Sequence, residues 1–76
     1  MTVIAAMVLF HRKRSGLSQL ALAQFAGVGK TVVFDIERGK ATVRWDTLQK
    51  VLTALNIQVN FSSPLMKEFE ETHENR

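Results

Sequence analysis

The chain contains no cysteine. That one absence excludes a disulfide framework, a thiolate nucleophile and a thiolate metal site, and it fits a reducing cytoplasm. Other metal ligation has no support either. His11 and His73 stand alone, with no carboxylate at ligand spacing on a defined element. Long hydrophobic runs are also missing. The longest, Val3 to Phe10, is far short of the roughly 20 residues that cross a bilayer. No basic stretch precedes it and no small-residue cleavage site follows, which argues against a signal peptide. Internal repeats and low-complexity segments are absent too. With 76 residues the chain has room for one small domain, so added stability from a partner subunit is expected. The expectation is a soluble, cytoplasmic chain with no membrane partner.

Charge of one sign is scarce in each part of the chain. The net charge of +3 divides into eight Lys/Arg against three Asp/Glu in residues 1–50, and two against four in residues 51–76. A basic body with an acidic tail points to a polyanion for the body, although a solvated charged surface gives the same totals. The order of the residues has to decide.

Residues from Thr2 to Ser15 predict a helix, with Ile4, Val8 and His11 on one face and Val3, Met7, Phe10 and Arg14 on the next. Gly16 supplies a stop, and Ser18 has the side chain to cap a second helix running to about Phe25. Leu22 and Ala23 form its inward face, and Ala26-Gly27 ends it. A third helix is expected from about Gly29 to Arg38, with Val33 and Ile36 inward and Gly39 as its stop. Trp45, Leu48, Val51, Leu52 and Leu55 then recur at three- and four-residue intervals, which predicts a fourth helix over roughly 44–55 with Trp45 in the core.

After Asn56 the period changes. Ile57, Val59 and Phe61 alternate with Gln58 and Asn60, the pattern of a strand with one buried face. A lone strand needs a partner for its backbone groups. The simplest partner is the same strand of a second copy, and the alternative is an extended arm on its own domain. Residues 62–76 are polar and acidic. Ser63-Pro64 either starts a short helix carrying Leu65 and Phe69, or the tail stays disordered until bound. The expected fold class is all-α, four helices and one C-terminal strand pairing across a dimer. Residues 1–56 would be the domain proper, 57–61 the dimerisation strand and 62–76 an acidic tail.

Two short helices joined at Ala26-Gly27-Val28, the second starting at Lys30-Thr31, make a helix-turn-helix pattern. A helix of this kind fits the major groove of B-DNA, with residues near its N-terminus reaching base edges. The run Gly16-Leu17-Ser18-Gln19, then Leu22-Ala23, Gly27-Val28, Val33, Ile36-Glu37-Arg38-Gly39-Lys40 and Asp46-Thr47-Leu48 resembles the phage-repressor-like (Cro/C1 or Xre type) helix-turn-helix family over about residues 8–56.

The resemblance implies roles residue by residue. Gln19 matches a phosphate-contacting glutamine. Lys30, Thr31, Phe34 and Asp35 match exposed, base-facing positions of the recognition helix. Lys30 could meet guanine or phosphate, and Thr31 a thymine methyl or phosphate. Lys40 and Thr42 match loop positions that grip the backbone. Arg12 and Glu37 match an ion pair joining the first helix to the third, against a competing role for Arg12 as a phosphate ligand. Departures accompany the matches. Gly29 stands where the family often has a capping serine. Phe34 is aromatic where a polar residue is usual, and contacts either DNA or protein. Asp35 would repel phosphate unless it accepts from cytosine N4 or orients another side chain. Leu20 and Phe25 are more apolar than surface positions predict, which suggests a second protein surface.

The strand at Ile57, Val59 and Phe61 makes the layout similar to HipB-type antitoxins. That narrower resemblance implies paired strands in a homodimer, repression of the chain's own operon at a palindromic double-stranded DNA operator, and a HipA-type kinase toxin as partner, in some systems with a third small component. A plain phage- or plasmid-type repressor and a protein-binding adapter without DNA affinity are the alternatives.

Enzyme chemistry is not expected, and neither is a cofactor. Gly27-Val28-Gly29-Lys30-Thr31 suggests a phosphate loop, but Gln24 stands where that loop needs its first glycine. Glu68, Glu70, Glu71 and Glu74 read as a solvated acidic stretch rather than an acid–base pair.

Overall fold

Gly27 and Gly39 fix the path of the chain around its central helices. Each takes a positive φ, 76° and 83°, where a residue with a Cβ is strained. In the computed structural model, which describes residues 2–74, five α-helices follow in order: α1 Thr2–Arg14, α2 Gln19–Ala26, α3 Lys30–Glu37, α4 Trp45–Ala54 and α5 Met66–Glu74. Residues 1, 75 and 76, the ends of the expected domain and tail, lie outside the described residues.

The first four helices bury one core. Val8 of α1, Leu22 and Ala23 of α2, Val33 and Ile36 of α3, and Leu48, Val51 and Leu52 of α4 meet there, with Leu55 beyond the end of α4. Leu22, Val8, Val33 and Val51 are sealed from solvent. Helix α3 packs on α1, α2 and α4 in turn, so two buried side chains on two helical turns are enough to orient it. Local signals place the ends. Ser18 Oγ accepts from the Ala21 amide at 3.0 Å and caps α2. The Val28 amide reaches back to Ala23 O at 2.9 Å around Gly27, and the Lys40 amide reaches Asp35 O at 2.9 Å around Gly39. Gly29 caps α3 without any side-chain hydrogen bond, as its lack of a side chain predicts.

Three expectations are corrected. Trp45 is not core: it is 49% exposed, because it stands at the first position of α4, before the helix has turned its apolar stripe onto the bundle. The helix count is five rather than four. The Ser63 carbonyl accepts from the Met66 amide to open α5; Phe69 lies exposed on it and Leu65 is exposed in the turn just before it. No strand occurs among the described residues, and 57–61 is irregular. A ladder requires a second extended segment, and among the described residues this stretch has none. Its alternating residues do not share a buried face either. Ile57 packs on the core, while Val59 and Phe61 are exposed. Helix α5 takes part in none of the principal helix–helix contacts.

Candidate nucleic-acid interface

Helices α2 and α3 are joined by the turn Gly27-Val28-Gly29, in which Val28 packs on the core and both glycines are exposed. At the start of α2, Gln19 is half-buried. Its Nε2 donates to Glu37 Oε1 at 3.0 Å. The same carboxylate accepts from Arg12 through Nε and through Nη2, the latter at 3.0 Å, while Arg12 Nη1 donates to Leu17 O at 2.8 Å. Three elements therefore meet at Glu37: the end of α1, the start of α2 and the end of α3. The two charged side chains are only 12% and 7% exposed. Burial pushes the Glu37 carboxyl up, but hydrogen bonds from Arg12 and Gln19 and the charges of Arg12 and Lys13 outweigh it and hold the group below its ordinary value. The hydrogen bond to Glu37 raises Arg12 in turn.

This geometry leaves Gln19 partly free. A primary amide nitrogen carries two protons, and Glu37 takes one. The second is available to an acceptor outside the protein.

On α3, Lys30, Thr31 and Phe34 are exposed. Asp35 is not: its side chain is 14% exposed. It faces two cations rather than solvent, accepting from Arg38 Nε at 3.1 Å and from Lys40 Nζ at 3.4 Å. The Arg38 hydrogen bond, more than any other contact, holds the Asp35 carboxyl below its ordinary value, with Lys40 adding to it against the opposing effect of burial. Asp35, Lys40 and Thr42 line one shallow recess together with Val43, Arg44 and Thr47. Arg44 pairs with Asp46 at 3.2 Å at the head of α4. Ile57 and Val59 lie apart, on a groove shared with Gln49 and Leu52, and Phe61 is exposed.

Arg38 was missed by reading the sequence alone. Its guanidinium carbon lies 5.6 Å from the centre of the Phe34 ring, on the exposed side of α3. The signal was present: Lys30, Phe34 and Arg38 are four residues apart in succession and so share a helix face. Among the described residues no group of three or more His, Asp or Glu side chains could hold a metal ion. No described helix is long and apolar enough to cross a membrane.

Two short helices at a tight turn, the second presenting Lys30, Thr31, Phe34 and Arg38 and flanked by Lys40, define a helix-turn-helix DNA-binding domain. The comparisons agree. The family described as helix-turn-helix matches residues 11–61. The chain is also similar to a protein of Sinorhizobium fredii (strain NBRC 101917 / NGR234), the "Uncharacterized HTH-type transcriptional regulator y4mF", at 36% identity over 61 residues covering 80% of each chain. The chain belongs to the phage-repressor-like (Cro/C1-type) helix-turn-helix family.

Proposed function

We propose that this chain is a sequence-specific transcriptional repressor that binds a palindromic operator as a homodimer, and that it is the HipB-like antitoxin of a toxin–antitoxin operon. The observation that carries the DNA reading is the arrangement around Glu37. It ties the start of α2 to the recognition helix and leaves one Gln19 amide proton for a phosphate. Gln19 is then the sequence-independent anchor, Lys30, Thr31 and Phe34 face the bases, and Lys40 and Thr42 grip the backbone beyond α3. Arg12 and Glu37 serve structure. Residues 1–56 form the reading unit and 62–76 the acidic tail. The chain acts on nucleoid DNA in the cytoplasm.

The dimer reading is supported by the alternation of Ile57, Val59 and Phe61 in a stretch whose backbone has no ladder among the described residues. Pairing it with its copy across a two-fold axis satisfies those groups and sets two recognition helices about 34 Å apart, one helical turn of DNA. Exposed Leu65 and Phe69 near the C-terminus and the match in layout to HipB-type proteins support a HipA-type kinase toxin as partner, with or without a third small component. Exposed Leu20 and Phe25 favour a second reading, a protein-binding adapter.

A salt series on the chain's own promoter fragment tests the DNA reading. Log affinity is expected to fall against log salt with a slope of roughly −0.9 per phosphate neutralised. No affinity at low salt overturns it in favour of the adapter. For the dimer, Val59→Pro removes a ladder donor, and a variant that remains dimeric in sedimentation refutes the paired strands. Failure to co-purify with a co-expressed HipA-type kinase leaves a plain repressor.

A further inference from the structure

An aspartate on a DNA-reading helix is a liability when it faces outward, because it repels the phosphates that line the groove. Asp35 does not face outward. Both of its oxygens are occupied by cations of the same chain, Oδ1 by Arg38 and Oδ2 by Lys40, and its side chain is 14% exposed against 55% for Arg38. Held between two cations and little exposed, this carboxylate is poorly placed to accept from a cytosine amine. It does have a strong effect on what surrounds it. Arg38 is held through Nε, and its terminal nitrogens Nη1 and Nη2, the planar fork of the guanidinium, make no hydrogen bond among the described residues. The same guanidinium lies over the exposed ring of Phe34.

We propose that Asp35 is a positioning residue and not a DNA ligand, and that the Phe34–Arg38 pair it holds is a reading unit for a guanine beside a thymine. The chemistry is that of the groove edge. A guanidinium fork matches the O6 and N7 acceptors of guanine, and an aromatic ring covers the methyl group of thymine. With the guanidinium carbon 5.6 Å from the ring centre, the two side chains offer both surfaces side by side. Lys40, in the loop that follows α3, is held by the other oxygen of Asp35. This assignment rests on the DNA-binding reading above and adds to it the kind of base step recognised.

The experiment is selection of binding sites from a randomised duplex library by the full chain. Affinities of wild type, Asp35→Asn, Arg38→Ala and the double variant are then measured on the selected site and on a scrambled duplex. Asp35→Asn is expected to lose roughly tenfold on the selected site while scrambled-site affinity holds or rises, because a repulsive charge has gone. Arg38→Ala is expected to erase preference at one thymine–guanine step, and the double variant to be no weaker than Arg38→Ala alone. A purely structural role for Asp35 would not move base preference. Three outcomes overturn the proposal: Asp35→Asn tightens both sites alike; the two losses add; or Arg38→Ala lowers the salt slope by about one phosphate with the selected sequence unchanged. If wild type selects no sequence at all, the DNA-binding reading fails first and carries this one with it.

Discussion

Replacing Arg12 by methionine keeps most of the side-chain volume and removes the charge that pairs with Glu37. The remaining carboxylate is 7% exposed and retains one neutral donor, Gln19 Nε2 at 3.0 Å. Breaking a fully buried ion pair from one side costs about 3–5 kcal/mol. The surviving amide and the nearby charge of Lys13 place this case at the low end, about 3 kcal/mol. For a domain of this length, whose whole stability is about 4–11 kcal/mol, that corresponds to a fall in Tm of roughly 12–24 °C. Urea denaturation followed by helical circular dichroism, at one fixed protein concentration, reads the loss directly.

The sign of the pH dependence gives an independent check. In the native protein the Glu37 carboxyl lies below its ordinary 4.5, so its contribution is complete above that value and is lost as pH falls through the folded value. Without Arg12, burial, the largest single influence on the carboxyl, is opposed only by Gln19 and Lys13, and the folded value rises. The Arg12→Met deficit therefore shrinks as pH falls through that raised value. Pairing Arg12→Met with Glu37→Leu removes both charges and is expected to restore stability to within about 1 kcal/mol of wild type. A single-variant loss below about 1 kcal/mol, or a double variant whose loss equals the sum of the singles, refutes the reasoning.

Other expected outcomes follow from the same contacts. Leu22→Ala empties a fully buried site among α2, α3 and α4 and is expected to cost about 3 kcal/mol in urea denaturation. Between neutral pH and pH 5 the carboxylates Glu37, Asp35 and Asp46 leave stability unchanged. Below their ordinary values of 4.5 and 3.8 it falls, since all three are held low in the fold, and an acid titration by circular dichroism reads this. Gln19→Ala is expected to weaken binding to selected and scrambled duplexes by the same factor, as loss of a phosphate contact does.

The helices were legible because their ends are set locally. Ser18 can cap, Gly16, Gly27 and Gly39 can adopt positive φ, and each choice acts within a turn of its own position. What was misread depends on partners. Spacing put Trp45 in line with Leu48, but a residue at the first position of a helix lies at the edge of its stripe, and only packing decides which way it falls. The family resemblance assigned Asp35 an exposed position. Its burial comes from Arg38 three residues on and Lys40 five on, the second reached only because the chain reverses at Gly39. Alternation at Ile57–Phe61 marks a two-faced segment without supplying what either face meets.

Helix α3 could not hold itself. It has two turns, a glycine cap and no acidic residue in its first turn, and isolated helices shorter than about 12 residues are marginal in water. Its shape is borrowed from Val33 and Ile36 in the core and from Glu37, which joins it to α1 and α2. These two sources of order separate experimentally. A core truncation such as Leu22→Ala lowers DNA binding only by the fraction of chains it unfolds, leaving the folded ones as competent as before. The Arg12→Met, Glu37→Leu double variant keeps the fold and removes the acceptor that orients Gln19. Its affinity should fall on every sequence with no loss of helix, because the anchor, unlike the helix that carries it, depends on that single carboxylate.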